Sequence, residues 1–415
     1  MGRLFSKLFS KNRDRLRIAF LLGSGISIPA GILSTHQLTE CILSGIDIIR
    51  NGKARHHSDD TFSFHYTDTG AKENDEYVSR IVPLLNKLKA EIDLYYFQNG
   101  RTGNYEDLYY VVNQIEESLS GDHENPAIQP FIERIANELQ PLLAGKPREI
   151  RERWTIHELM SETKDYIHDV VSEMLRMPLA RTDHLDFIKN ACHYLVSEGL
   201  DIFTLNHDTL LEQVLLQFKN NVVDGFGVPL KDVRYWDPSL FENQQSKIRF
   251  LKLHGSINWY RFRPEGGNWG TERVGIPLNR DIWHQEAPLD GMQLPVEGRS
   301  MMLVGTFNKM LRYTGDIYAD LHYHFRRRLR KVTNLVICGY GFGDKGINSQ
   351  LIEWSYSHPG LRIVIIHHDF EGLKRRARYA IRANFEEWAK RGILSVIHKR
   401  IEQISWQEIE NLLKK

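Results

Sequence analysis

The 415-residue chain is 41% hydrophobic and 11% aromatic, with 54 basic residues against 53 acidic ones. That length exceeds one small domain and fits two, or one large domain carrying an insertion. The balanced charge excludes a global field for drawing in nucleic acid or a membrane surface, and three scattered cysteines, Cys41, Cys192 and Cys338, exclude a disulfide framework and a CxxC zinc knuckle.

The opening MGRLFSKLFSKNRDRLR is basic and mildly amphipathic. It reads as a flexible arm or one that orders against a partner, and Gly2 with Ser6 also fits the short myristoylation pattern. No apolar run approaches the ~18 residues of a bilayer span. A cytoplasmic protein without membrane attachment and without sequence-specific nucleic-acid binding is the expectation. RIAFLL (17–22) predicts a buried strand ended by glycine. After a glycine-rich turn, STHQLTECILSGIDIIR has helical spacing, with Ser34 or Thr35 as its cap. The stretch 56–75 is polar and reads as a loop. Helices are predicted to begin near Asp75, Asn104 and Asn125, and to run over 147–175 and 184–197. In the second of these, Leu108, Val111, Val112 and Ile115 fall at i, i+3, i+4 and i+7.

Beyond residue 200 the pattern changes to strands alternating with helices. DIFTLN, KIRFLKLHG, INWYRF, NLVICGYG, LRIVIIHH and LSVIHK read as strands. The segment 263–300 reads as irregular, and FEGLKRRARYAIRANFEEWAKR (370–391) as one helix. The alternation predicts an α/β fold with a doubly wound, mostly parallel sheet. Its first strand starts at 17 and the others lie beyond 200. Residues 1–40 and 200–415 therefore form the α/β domain, and 41–199 form an inserted helical domain.

Four strand ends carry polar or glycine-rich strings, where ligands bind in open α/β sheets. Gly23-Ser24-Gly25, with Ile26 and Ser27, suits either a phosphate cradle or a bare tight turn. Asn206 and Asp208 lie where a strand becomes a helix. One of them suffices as a cap, and the other is free to hold a hydroxyl or a water. Glu212, one turn on, fits as a complement to the helix dipole. His254 ends a strand and precedes Gly-Ser, which suits either a structural histidine or a proton-transfer group. Gly339, Tyr340, Phe342 and Asp344 form a glycine-rich turn. The next strand ends in His368-Asp369, at a spacing that suits a ribose-binding acid or a plain βαβ unit. The densest basic run, HFRRRLRK (324–331), is either a solvated helix end or a phosphate- or partner-facing patch.

Taken in order, these strings resemble the sirtuin catalytic domain. GSGIS…AG looks like that family's GAGIS…AG loop, TLNHD is similar to its TQNID or TTNYD string, and LHGS matches its catalytic-histidine motif. GYGFGDKGIN resembles the GYSF-D-HIN string of bacterial sirtuin-like proteins. Two features depart from the deacylating members. Ile32-Leu33-Ser34-Thr35 replaces their Pro-Asp-Phe-Arg run, and their CxxC pairs, hence a zinc module, are missing. The departures make the chain similar to bacterial anti-phage sirtuin-like proteins that hydrolyse NAD. Its size and helical insertion most resemble the members that act with a HerA-type hexameric ATPase.

That resemblance implies a Rossmann-like NAD-binding domain and cleavage of the nicotinamide–ribose bond, with NAD as substrate and no metal. It implies Asn206, Asp208 and His254 as catalytic residues. Gly23, Ser24, Gly25 and Ser27 would hold the phosphates. Gly339, Tyr340, Phe342, Asp344, His368 and Asp369 would line the adenosine half. It also implies a homo-oligomer and the ATPase partner. Other functions stay open at this point: a module that binds NAD or ADP-ribose without turning it over, a protein deacylase, and a structural subunit.

Overall fold

The computed structural model describes residues 17–45, 71–122, 125–143, 155–195, 199–243, 247–268, 270–279, 281–283, 285–288, 291–296 and 298–414. The basic arm, most of the polar loop at 56–75 and the start of the segment expected from 147 lie outside the described residues. None of the described helices is long and apolar enough to cross a membrane.

The strands are β1 (Ile18–Leu22), β2 (Leu200–Thr204), β3 (Val222–Val223), β4 (Val233–Tyr235), β5 (Ile248–Lys252), β6 (Tyr260–Pro264), β7 (Arg273–Pro277), β8 (Gln285–Glu286), β9 (Met292–Pro295), β10 (Asn334–Cys338), β11 (Arg362–Ile366) and β12 (Leu394–Ile397). Seven of them form one parallel sheet in the order β12-β11-β10-β1-β2-β5-β3. β1, β2, β5 and β10 are buried at every position. Strands covered on both faces read as unbroken apolar runs, and that is why RIAFLL and NLVIC are legible. Alternate residues feed two cores. Ala19, Leu21, Phe203, Leu335 and Ile337 face helices Asp316–Leu329, Lys345–Ser355 and Tyr379–Lys390. Ile18, Phe20, Leu22, Ile202 and Val336 face helices Asp186–Leu195, Leu210–Leu215 and Trp406–Leu413. The expected doubly wound, parallel sheet with helices on both faces is present, and a helical region is added to it.

A third core joins helices Thr35–Leu43, Ala71–Tyr96, Tyr105–Ser120, Gln129–Leu143 and Ile156–Met174. Ser34 caps the first through a capping box with Gln37, and Asn104 caps the third with Asp107. Ile257, Met302 and Val304 from the α/β body complete this core. Helix Asp186–Leu195, expected in the insertion, packs under the sheet instead.

Two local expectations need correcting. Segment 263–300 is not irregular: with β4 it builds a five-stranded antiparallel sheet in the order β4-β7-β6-β9-β8. Its strands are short and interrupted by glycine and proline, so each gave too weak a period to read. The long helix expected over 370–391 is two, Phe370–Arg376 and Tyr379–Lys390. Ala377 leaves the helical region with ψ at 150°, and the Arg378 N–H turns to the Phe342 carbonyl.

The parallel register sets the site. Leu22 lies level with Thr204 and Cys338, Thr204 with Lys252, and Cys338 with Ile366. The chain therefore leaves five strands along one edge, at Gly23, Leu205, Leu253, Gly339 and His367. β1 lies between β2 and β10, strands it reaches through connections running in opposite directions. The β1/β10 edge is thus a topological switch point, the usual place for a nucleotide crevice.

Candidate active site

At this edge the turn after β1 and the turn after β10 are built into each other. The Gly23 N–H donates to Cys338 O and the Gly25 N–H to Gly339 O, each at 3.0 Å. A Cβ on Gly23 would lie 2.6 Å from Gly339 O, and one on Gly339, whose φ is +68°, would lie 2.5 Å from the Ile26 nitrogen. Backbone contact between the two turns therefore demands these glycines. No α-helix follows directly: residues 24–26 and 28–30 make two single 3-10 turns. The Ile26 and Ser27 N–H groups bond back to Gly23 O and Ser24 O, and Ile26 is buried. Of the expected phosphate cradle, exposed Ser24 and half-buried Gly25 face outward.

Ser27, expected at the phosphates, is turned inward. Asn206 Nδ2 donates to Ser27 Oγ at 3.0 Å, and Ser27 Oγ donates to Asp208 Oδ2 at 2.8 Å. The other Asp208 oxygen accepts the Leu210 N–H at 3.0 Å. Asp208 orders the turn into the next helix, and through Ser27 it positions Asn206. Asn206 Oδ1 is buried with no partner among the described residues. A buried carbonyl oxygen left so is costly and marks a place where a bound group completes the bonding. Glu212, read as a dipole complement, instead pairs with Lys252 at 2.7 Å, and burial pushes its carboxyl above the ordinary value.

His254 is 4% exposed. Its Nε2 lies 2.9 Å from the Tyr313 hydroxyl and 3.2 Å from Asp344 Oδ2, and Tyr313 donates to the same Asp344 oxygen at 2.5 Å. With the Tyr313 proton directed at Asp344, the hydrogen on this side of the imidazole sits on Nε2. In the neutral ring Nδ1 is then the basic nitrogen. Burial pushes His254 below the ordinary histidine value, against the upward pull of Asp344, and Lys309 adds to the depression. Burial alone would raise Asp344. Hydrogen bonds from His254, Tyr313 and the Ile347 N–H outweigh it and hold the carboxyl well below the usual range. Tyr313 also stacks on His322 at 3.6 Å between ring centroids. His207 lies 6.2 Å from His254, and burial depresses both His207 and His322 as well.

Asp344 is thus a partner of His254 rather than a wall of the adenosine half. It caps helix Lys345–Ser355 through the Ile347 N–H, and that cap aims its free oxygen at the histidine. Phe342 does not line the site. It is fully buried, with φ at +55°, and packs edge-on against Phe385. Asp369 caps helix Phe370–Arg376 through the Gly372 N–H at 2.9 Å. Tyr340 is largely buried and donates to Asn348 Oδ1 at 2.8 Å, bracing the turn. The basic run 324–331 is taken up by ion pairs: Arg326 and Arg330 with Glu353, Arg327 with Glu242, and Arg328 with Asp201.

Outside the buried cluster an open cleft of about 380 Å³ runs along the same edge. Gly25, Gly339, Tyr340, Gly341, His367 and His368 line it, together with Arg376, Lys399, Arg400 and Glu402. Sequence reasoning missed Tyr313, which sits in no motif, and the three basic residues of the cleft: Arg376, which ends the short helix after β11, and Lys399 and Arg400, which follow β12. The described residues contain no group of three His, Cys, Asp or Glu placed to hold a metal. Burial pushes the Cys192 and Cys338 thiols up to about 12, so neither is a thiolate.

Residues 201–393 match the SIR2-like domain family. The match spans Asn206, Asp208, His254, Tyr313, Asp344 and the β10 side of the switch point, but not β1 and its glycine turn. Comparison with curated proteins finds no match. Among solved structures, a Sir2 homolog–NAD complex is similar at 11% identity and a TM-score of 0.37, over 99% of this chain and 94% of that one. Sir2 bound to acetylated peptide is similar at 10% identity and a TM-score of 0.32, over 100% and 98%. The matched residues thus include the closed histidine cluster and part of the open cleft, but not its Gly25, Lys399, Arg400 and Glu402.

Proposed function

We propose that the chain is an NAD hydrolase that cleaves the nicotinamide–ribose bond and releases nicotinamide and ADP-ribose. One observation carries this reading. His254, fixed through Nε2 by Tyr313 and Asp344, shares the carboxyl edge of the SIR2-like domain with Asn206, whose Oδ1 lacks a partner among the described residues. The chemistry resembles glycoside hydrolysis, in which the ribose carbon gains positive charge as a neutral base departs. Asn206 Oδ1 accepts from the attacking water or a ribose hydroxyl, and Ser27 and Asp208 hold it there. His254 Nδ1 takes up the proton released. The turns at Gly25 and Gly339 hold the phosphates, and the cleft beside His367 and His368 takes the adenosine half.

Departure from the deacylase pattern at Ile32–Thr35 disfavours acyl-peptide chemistry and favours water as the acceptor. The test is to incubate the purified chain with NAD and no acylated peptide. Nicotinamide and ADP-ribose should appear in equal amounts. A need for acyl peptide would return the deacylase reading.

A second reading rests on the closure of the histidine cluster: the domain binds NAD or ADP-ribose as a regulatory ligand without cleaving it. Tight binding with no nicotinamide release would favour it. From the resemblance alone we further propose that the chain acts as a homo-oligomer with a HerA-type ATPase in anti-phage defence by NAD depletion. Nicotinamide release measured with and without such an ATPase tests that step.

A further inference from the structure

The open cleft has the wrong charge for a plain ribose. In dinucleotide folds a free 2′-hydroxyl is held by an acid after the second strand of the unit, whereas a 2′-phosphate is met by arginine. The acid in the matching position is Asp369, directly after His367 and His368 at the end of β11. One of its oxygens caps Gly372 at 2.9 Å, and a Cβ on Gly372 would lie 1.9 Å from the other. Both oxygens thus face the helix start, and Asp369 is absent from the cleft wall.

What does line that wall is basic. Arg376, Lys399 and Arg400 face a single carboxylate, Glu402. Glu402 also lies in the field of Arg181, so part of its charge is engaged outside the cleft. Lys399 pairs with Glu408. Among the described residues neither Arg376 nor Arg400 forms an ion pair, although Arg376 is close enough to His367 and Asp369 to lower both pKa values. Unpaired guanidinium groups beside the adenosine position are phosphate receptors, because their planar donors match phosphate oxygens.

We propose that the cleft accepts a 2′-phosphorylated adenosine, so that the domain binds and cleaves NADP as well as NAD, with Arg376 and Arg400 holding the 2′-phosphate. The proposal rests on the reading of the cleft as the NAD site. The scissile bond is the same in both substrates, and the two arginines decide only which adenosine ends are admitted.

The test is calorimetric binding of ADP-ribose and 2′-phospho-ADP-ribose to the full chain, wild type and Arg376→Ala/Arg400→Ala. The 2′-phosphorylated ligand should bind wild type at least as tightly as ADP-ribose. The double variant should weaken it at least tenfold more than it weakens ADP-ribose, and Arg400→Lys should retain the wild-type preference. ADP-ribose binding more than tenfold tighter than its 2′-phosphate, or equal losses for both ligands in the double variant, would overturn the proposal and leave the NAD reading standing. If neither ligand bound, both the proposal and the NAD reading would fall.

Discussion

The open cleft is built on two glycine turns, at Gly25 and Gly339, whose backbones are in contact. The cluster around His254 is closed and held by side chains. His254, Asn206, Asp208 and Ser27 are each no more than 5% exposed, and Tyr313 covers the histidine. The two ends solve different problems. Binding a nucleotide needs shape and donors that exist before the ligand arrives. Moving a proton needs a group whose basicity is tuned and whose hydrogen bonds are fixed, and burial supplies both.

The largest expected effect separates the two ends. His254→Ala or Asn206→Ala should lower nicotinamide release by about 10²–10⁴, the range of a positioned acid–base group, in a steady-state assay. Gly339→Ala attacks the open end instead. Its Cβ meets Ile26 and Gly23 backbone, and its φ is left-handed, so a loss of at least about 2 kcal/mol is expected in a denaturant titration. The buried histidines give a pH signature. His322 is held down to about 3 by burial, whereas an unfolded histidine takes up its proton near the ordinary value of about 6.5. Below that value the unfolded state binds the extra proton, so stability is fully present above it and declines as pH falls towards about 3. At pH 5 the cost is about 2 kcal/mol. His322→Gln should flatten the fall in melting temperature between pH 7 and 5, and an unchanged slope would place the buried charge elsewhere. The smallest effect sharpens the role of Tyr313. Tyr313→Phe keeps the stack on His322 and loses the hydroxyl bonds to His254 and Asp344. It should cost about 1–2 kcal/mol in the same titration and raise the pKa of Asp344, read by carboxyl-region NMR.

Most of the sheet was legible because its central strands are short, wholly buried and ended by glycine. RIAFLL and NLVIC have no competing helical period. The small antiparallel sheet was not, since strands of two to five residues broken by Gly267, Gly275 and Pro277 carry almost no periodic signal. At the site the strand-end strings located Asn206, Asp208 and His254, because register alone brings those ends to one line. Roles that depend on side-chain direction were not readable. Asp344 and Asp369 are both acids at helix starts, yet the first cap points at His254 and the second away from the cleft. Ser27 lies in the glycine loop by sequence and in the Asn206 network by contact. Tyr313 comes from LRYTGD, a segment with no motif, and only tertiary packing brings it to the histidine.

The claim that the closed cluster reacts while the open cleft binds can be tested in one preparation. ADP affinity and nicotinamide release would be measured side by side for wild type and His254→Ala, since ADP needs only the open end. The account predicts ADP affinity within about threefold of wild type and nicotinamide release lost by the 10²–10⁴ expected of a positioned acid–base group. Loss of ADP affinity in step with turnover, or full turnover without the imidazole, would contradict it.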